Sequence, residues 1–240
     1  MIHSGSRGFG KKFYDYFKDV ATKLCRQWHS VSPIPFLPAE SEEGRDYIEW
    51  MNLLLRFALL NRQIMIDDVI NNILHYFPNM KNITSQSVSG AGDLINIYHN
   101  YACLEHHMGK DYWVHRKGAV LARKGVIGII PGSQSTNSFI TLGLGKEISL
   151  NSCSHGSGRK MGRTEFTIQN QSRVQEIEDD MKKKGIIFSK FQKSTRGRSE
   201  GMYDISESGD AYKDVLSVME HQSDLVSPIV KLSPVINWKG

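Results

Sequence analysis

Cys153-Ser154-His155-Gly156-Ser157-Gly158-Arg159 is the stretch from which the rest of the chain is best read. A short extended run, residues 148–150, leads toward it, and a histidine then stands directly before a Gly-x-Gly turn and an arginine. Small residues let backbone N–H groups come close to a phosphate. An arginine can hold phosphate charge with a fork of donors. A neutral imidazole offers a ring nitrogen that can attack phosphorus. Short Gly-x-Gly turns are common, so the motif gains its weight from the segments around it.

Working outward, several loops at the ends of apparent strands carry ligand-type residues. These are His3 with Ser4-Gly5-Ser6-Arg7, then His99-Asn100, then Pro131-Gly132-Ser133-Gln134 with Ser138. Strand ends are where sheet-based sites are usually built. Histidine ligates manganese, zinc or iron, and Asn and Ser hydrogen-bond bases, ribose and phosphate. A solitary histidine is more often structural, and His29, His75, His106, His107, His115 and His221 take that reading or a surface one.

The pattern between these loops predicts a mixed α/β fold, with a central β-sheet or sandwich flanked by helices. Residues 3–10 read as a Gly/Ser-rich turn. Apolar positions over 11–28 follow helical spacing. Pro33, Pro35 and Pro38 mark an extended loop. Ser41-Glu42-Glu43 places a cap and two acids at a helix start, and residues 47–70 then read as one long helix, apolar all round and therefore central and buried. Asn61 and Arg62 inside it need partners; a satisfied buried pair is favoured over direct ligand contact. Residues 85–93 read as a Ser/Gly-rich loop. Strands are predicted at 94–98, 113–120, 126–130 and 139–142, a charged helix over 171–184, a basic loop over 193–200, and a last helix over 212–226. The whole of 1–240 is expected to form one domain.

Composition narrows the class. The formal net charge is +5 over 240 residues, which suits an anionic partner such as a nucleotide or RNA without requiring one. Three cysteines, Cys25, Cys103 and Cys153, form no Cys-x-x-Cys pair, so a zinc ribbon is excluded and a reducing compartment is favoured. The first residues lack the apolar stretch of a signal peptide, and no apolar run reaches membrane-spanning length. These points give the expectation of a cytoplasmic protein without membrane contact.

The ordered series of blocks resembles the RtcB family of RNA ligases. Those blocks are His3-Ser4-Gly5-Ser6-Arg7-Gly8-Phe9-Gly10, Asn61-Arg62-Gln63, His99-Asn100-Tyr101 and Val114-His115-Arg116-Lys117-Gly118-Ala119. Pro131-Gly132-Ser133, His155-Gly156-Ser157-Gly158-Arg159, Ala211-Tyr212-Lys213-Asp214-Val215 and residues 235–240 complete the series. Another histidine-based nucleotidyl transferase would account for His155 but not for the other blocks.

The resemblance implies a GTP- and Mn²⁺-dependent ligase. It would join RNA ends bearing a 3′-phosphate or 2′,3′-cyclic phosphate to 5′-hydroxyl ends through a guanylylated histidine. Matched by motif, His155 is the nucleophile, and His3 and His99 are metal ligands. His99, Asn100, Pro131, Gly132, Ser133, Gln134, Ser138, Gly156, Ser157, Gly158, Tyr212 and Lys239 line the guanylate. Arg7, Arg116, Lys117, Arg159 and Arg163 are candidates for RNA phosphates, with ordinary surface charge the competing reading.

The match covers the C-terminal portion of the family's sequence. The family's N-terminal half, with its Asp, Cys and further His metal ligands, is not among these residues. The resemblance therefore implies a separately supplied N-terminal half, with archease as a candidate helper. The alternatives are an inactive truncated fragment and a noncatalytic module that binds guanine nucleotide or RNA. Smaller departures are Ser157 for a usual Ala, Gly162 for a usual Ser and Val120 for a usual Thr.

Overall fold

The computed structural model describes residues 1–28, 34–80, 94–195 and 197–238. The predicted loop over 85–93, Pro33, His29 and Lys239 lie outside the described residues. The chain is mixed α/β and divides into two compact units, Met1–Tyr101 and Ala102–Gly240.

The first unit is built on two helices, α1 (Arg7–Gln27) and α2 (Glu42–Tyr76). Helical structure starts earlier than the turn expected over residues 3–10, since Arg7, Gly8, Phe9 and Gly10 already belong to α1. The glycines cost helix propensity but do not break the first turn. Phe13, Phe17 and Tyr47 form a ring cluster with centroids 4.9–5.4 Å apart. Phe17, Ala21 and Cys25 of α1 are buried, as are Met51, Leu54 and Ala58 of α2. Each large apolar side chain buried in this way contributes roughly 1.5–3 kcal/mol.

The start of α2 is set locally. The Ser41 hydroxyl accepts the Gly44 N–H at 3.0 Å, and the Ser41 N–H donates to the Pro38 carbonyl at 3.1 Å. That return of the chain leaves no space at position 44: a Cβ there would lie 1.9 Å from the Pro38 oxygen. Glu42 and Glu43 sit in the first turn, where the helix dipole favours negative charge.

The expectation that α2 is buried all round is corrected. Trp50, Leu53, Phe57, Leu60 and Ile64 are exposed, at 44–59 %. They recur every three or four residues and so form one stripe on one face. Residues 94–98, expected as a strand, are irregular; the strand begins at Asn100.

The second unit carries small sheets rather than one central sheet. Strands β1 (Asn100–His107) and β2 (Lys110–Lys117) pair, and β1 spans the boundary between the units. Gly118, at φ +71°, separates β2 from β3 (Ala119–Leu121), dividing the strand expected over 113–120. Strand β3 pairs antiparallel with β6 (Ser152–Ser154). A three-stranded antiparallel sheet has the order β4 (Ile127–Ile130), β5 (Ser138–Gly143), β8 (Val226–Leu232). Strand β7 (Ile187–Phe188) pairs parallel with β9 (Ile236–Asn237).

Two cores support these sheets. One joins Val120, Ile130, Phe139, Cys153, Val215 and Val226. The other joins Phe166 of α3 (Arg163–Gln169), Ile177 and Met181 of α4 (Val174–Lys183), and Ile186, Phe191 and Ile205. The charged helix is thus found, shorter than expected. The last helix, α5 (Val215–His221), also ends early, because residue 226 opens β8 instead of closing a helix. Residues 148–150 include a 3-10 turn, Glu147–Ser149, where extended chain was expected. No helix among the described residues is long and apolar enough to cross a membrane.

Candidate active site

In the first unit, one turn of α2 holds two distant segments. Asn61 Nδ2 donates to Ser4 Oγ at 3.0 Å and to the Gly5 carbonyl at 3.3 Å. The Arg62 guanidinium donates to the Ser4 carbonyl at 2.9 Å, to Asn96 Oδ1 at 2.7 Å and to the Ile97 carbonyl at 3.2 Å. Asn96 Nδ2 returns to the Leu59 carbonyl at 3.1 Å. The polar pair inside the helix is therefore satisfied, and the partners Ser4, Gly5, Asn96 and Ile97 lie within three residues of a predicted metal ligand.

The result is a pair of imidazoles. His3 Nε2 and His99 Nε2 stand 3.2 Å apart, with ring centroids at 4.9 Å and planes at 79°. Two nitrogen ligands about 2.1 Å from one ion and about 90–110° apart would be roughly 3.0–3.4 Å from each other. The donor set and spacing thus fit a divalent transition metal. His3 is exposed and His99 half-buried, and Asn100 follows as the exposed first residue of β1.

In the second unit, His155 leaves the end of β6. Its N–H donates to the Gly118 carbonyl at 3.1 Å, which anchors the loop to the β2–β3 junction. Gly156 faces the Pro131 carbonyl, 3.2 Å from where a Cβ would stand, so the histidine loop and the Pro131-Gly132-Ser133-Gln134 loop lie side by side. Ser157 is buried. Gly158 has φ +74°, and its carbonyl accepts the Lys213 N–H at 3.0 Å. The chain beyond it bridges Arg159 to Tyr212, so this loop reaches the Tyr212 segment as well.

The Pro131 loop is held by its own hydroxyls. Ser138 Oγ accepts the Gly132 N–H at 2.9 Å, and Thr136 Oγ1 accepts the Ser133 N–H at 2.7 Å. The Gln134 N–H donates to the Glu207 carbonyl at 3.1 Å, and Asn237 Nδ2 donates to the Gln134 carbonyl. The buried Gln134 Oε1, Ser154 Oγ and Ser208 Oγ have no hydrogen-bond partner among the described residues. Buried polar atoms are ordinarily paired. Gln134 Oε1 on the Pro131 loop and Ser154 Oγ before His155 thus keep hydrogen-bonding capacity beside Gly156, where backbone comes close. That fits a nucleotide.

Tyr212 is tied to charge. Its hydroxyl donates to Glu207 Oε2 and accepts from Arg159, 2.9 Å away, while the Arg159 guanidinium stacks 4.8 Å over its ring. Burial first, and the Glu207 carboxylate second, push the phenol above its ordinary range. Arg159 also donates to the Ser206 carbonyl at 2.6 Å, and Arg163 reaches Glu207 at 3.0 Å. Two of the residues suggested for RNA phosphates, Arg159 and Arg163, thus share the Glu207 carboxylate.

Arg116 is a plain correction. It is 1 % exposed and cannot meet RNA phosphate. Its guanidinium grips Glu105 bidentately at 2.5 and 2.9 Å. That grip, with further hydrogen bonds from Cys103 and His107, holds the Glu105 carboxyl down to about 2 against the opposing effect of burial. Burial, then the hydrogen bond to Glu105, raises the Cys103 thiol to about 11. The buried His107 belongs to the same network, its Nε2 2.9 Å from Glu105 Oε2, and is structural as expected. His115 and Lys117, on the opposite face of β2, are exposed. Sequence reasoning missed Glu105, Asn96 and Glu207; strand alternation on β1 and β2 was the signal that could have placed Glu105 opposite Arg116.

Comparison with known proteins supplies the family. The family model "tRNA-splicing ligase RtcB" matches residues 1–240. RNA-splicing ligase RtcB1 and RNA-splicing ligase RtcB, from two strains of Escherichia coli, are each 36 % identical to the chain over 247 and 251 residues. In both cases the match takes in 100 % of this chain and 55 % of the relative. The tRNA-splicing ligase RtcB of Pyrobaculum aerophilum is 30 % identical over 267 residues, covering 100 % of this chain and 52 % of that protein. A mixed α/β chain with paired imidazole ligands and a histidine at a small-residue loop is one that can hold a metal and a nucleotide. The chain belongs to the RtcB family, and it spans about half the length of the curated relatives it matches.

Proposed function

We propose that this chain is the C-terminal part of a GTP-dependent RNA ligase and works together with an N-terminal half supplied separately. The observation that carries the reading is the placement of Gly156, the residue after His155, against the Pro131 carbonyl, with Gln134 Oε1 on that loop and Ser154 Oγ before the histidine unpartnered among the described residues. The names of the relatives support RNA splicing as the setting, and a cytoplasmic location goes with it.

In this reading a His155 ring nitrogen attacks the α-phosphorus of GTP. An N–P bond forms, the bond to the β-phosphate oxygen breaks, and pyrophosphate leaves while the imidazole gives up its proton. The GMP group passes to an RNA 3′-phosphate, which breaks the N–P bond and restores His155. A 5′-hydroxyl then attacks the activated phosphorus, forming the phosphodiester and releasing GMP. A 2′,3′-cyclic phosphate end must first be opened by water.

His3 and His99 would hold Mn²⁺, which supplies charge neutralisation to the triphosphate when bound. Asn61 and Arg62 keep both ligands in place. Gly156, Ser157 and Gly158 frame the phosphate, and Pro131, Gly132, Ser133, Gln134 and Ser138 meet the guanylate. Asn100, Tyr212 and Lys239 complete that set. Two imidazoles are a sparse site for a metal that favours oxygen donors, so further ligands from the N-terminal half belong to the reading. The exposed stripe of Trp50, Leu53, Phe57, Leu60 and Ile64 on α2 supports a need for covering polypeptide.

The test is reconstitution. The chain is mixed with the N-terminal half of the Escherichia coli relative, GTP, Mn²⁺ and two RNAs, one ending in a 3′-phosphate and one beginning with a 5′-hydroxyl. Joined product that depends on both protein parts and on GTP supports the reading. GTP binding without joining, under the same conditions, would favour a noncatalytic nucleotide-binding module.

A further inference from the structure

The turn that delivers β6 is made of two consecutive left-handed residues, Leu150 at φ +52° and Asn151 at φ +50°. Neither is glycine. Left-handed backbone is strained for a leucine and easier for an asparagine, and two such residues in a row persist where their surroundings impose them. The chain has just left the 3-10 turn Glu147–Ser149, and three residues later it ends β6 and reaches His155.

Backbone bonds from the Leu150 and Asn151 N–H groups to the Glu147 and Lys146 carbonyls close the turn, and the buried guanidinium of Arg116 grips it from the side. One Arg116 N–H donates to the Leu150 carbonyl at 2.9 Å, and Nε donates to Ser152 Oγ at 3.0 Å. Ser152 Oγ in turn donates to the Leu150 carbonyl at 3.0 Å. On its other side the same guanidinium is locked to Glu105. A planar fork with a fixed partner is a rigid strut, and a lysine could not satisfy both sides at once. Strand pairing carries the constraint on: Leu121 is opposite Ser152, and Ala119 is opposite Ser154.

We propose that Arg116 is a positioning residue for His155. The Glu105–Arg116 pair holds the Leu150-Asn151 turn, the turn sets where β6 runs along β3, and β6 fixes where the histidine leaves the sheet. The inference rests on the reading of His155 as the nucleophile. Its consequence is that Arg116 serves the reaction from inside the protein rather than by contact with RNA.

The test uses the full chain with its N-terminal half, and three variants: Arg116→Lys, the milder Ser152→Ala, and Arg116→Lys combined with Asn151→Gly. Amide hydrogen exchange is followed by mass spectrometry at residues 152–156 and, as a reference, in β4 and β5. The rate of His155 labelling by GTP carrying a labelled α-phosphate is measured against GTP concentration.

In Arg116→Lys and Ser152→Ala, exchange at residues 152–156 is expected to accelerate at least about tenfold, with β4 and β5 unchanged. The maximal labelling rate should fall by about tenfold or more in Arg116→Lys while the KM for GTP stays within about threefold. Glycine at position 151, which adopts the left-handed turn without strain, should restore part of both losses. Unchanged exchange at 152–156 would overturn the proposal. So would acceleration spread equally over β4 and β5, or a loss seen only in the KM. Should the parent protein take no label at all, the nucleophile reading fails; the exchange and its recovery by Asn151→Gly then decide the anchoring of the turn alone.

Discussion

His3 and His99, separated by 96 positions in the chain, bring their Nε2 atoms to 3.2 Å of each other. Asn61 and Arg62 hold the chain near each histidine, at Ser4 after His3 and at Asn96 and Ile97 before His99, rather than the histidines themselves. Ligand pairs fixed in this way depend on their supports nearly as much as on their own nitrogens.

Metal binding should therefore respond to both layers. His99→Ala is expected to lower Mn²⁺ affinity at least about tenfold, and Arg62→Met to lower it by about 10–100-fold although Arg62 offers no ligand atom. Electron paramagnetic resonance titration of free Mn²⁺ measures both. Equal affinity in the parent chain and His99→Ala would show that the pair holds no metal.

The start of α2 gives a stability prediction. Ser41→Ala removes the cap to Gly44 and should cost about 1 kcal/mol. Gly44→Ala should cost more, because the new Cβ would stand 1.9 Å from the Pro38 oxygen and the entering turn must open. Urea unfolding of the two variants beside the parent checks the order. A smaller loss in Gly44→Ala would mean that the Pro38 turn yields easily.

Much of this was readable in advance, and the failures share a cause. Ser41-Glu42-Glu43 announced a helix start because capping is local chemistry, and the cap is there. The loops around His155 and Pro131 were readable because glycine, proline and serine have few reasons to cluster other than a special backbone. Arg116 was misread because a basic residue after His115 and before Lys117 looks like surface. Only the strand alternation of β2, together with Glu105 on β1, turns it inward. The long helix was misread for a related reason. A helix apolar on all sides can be buried, or can leave a stripe for something outside the residues at hand, and periodicity does not separate the two. The final helix ran too far because residues 226–232 are apolar enough to continue it, whereas pairing with β5 captures them as a strand.

Glu105 supplies a pH signature. A carboxyl whose folded pKa is depressed adds stability that is full above its unfolded value, here 4.5, and is lost as pH falls toward about 2. Glu105→Gln leaves Arg116 buried without its counter-charge, a change that costs about 3–5 kcal/mol near neutral pH. The gap between parent and variant should narrow steadily from about pH 5 down to pH 2. Thermal or urea unfolding across that range measures it. A gap that stays constant with pH would mean that Glu105 and Arg116 do not interact as ions.

The central claim is that His155 accepts a nucleotide. The most direct measurement mixes the chain, the N-terminal half of the Escherichia coli relative, Mn²⁺ and GTP labelled at the α-phosphate, and runs a denaturing gel beside His155→Ala. The account predicts label on this chain that survives denaturation, is released by acid as a phosphorus–nitrogen bond should be, and disappears in His155→Ala. Label that persists in His155→Ala, or no label on the parent chain, would contradict it.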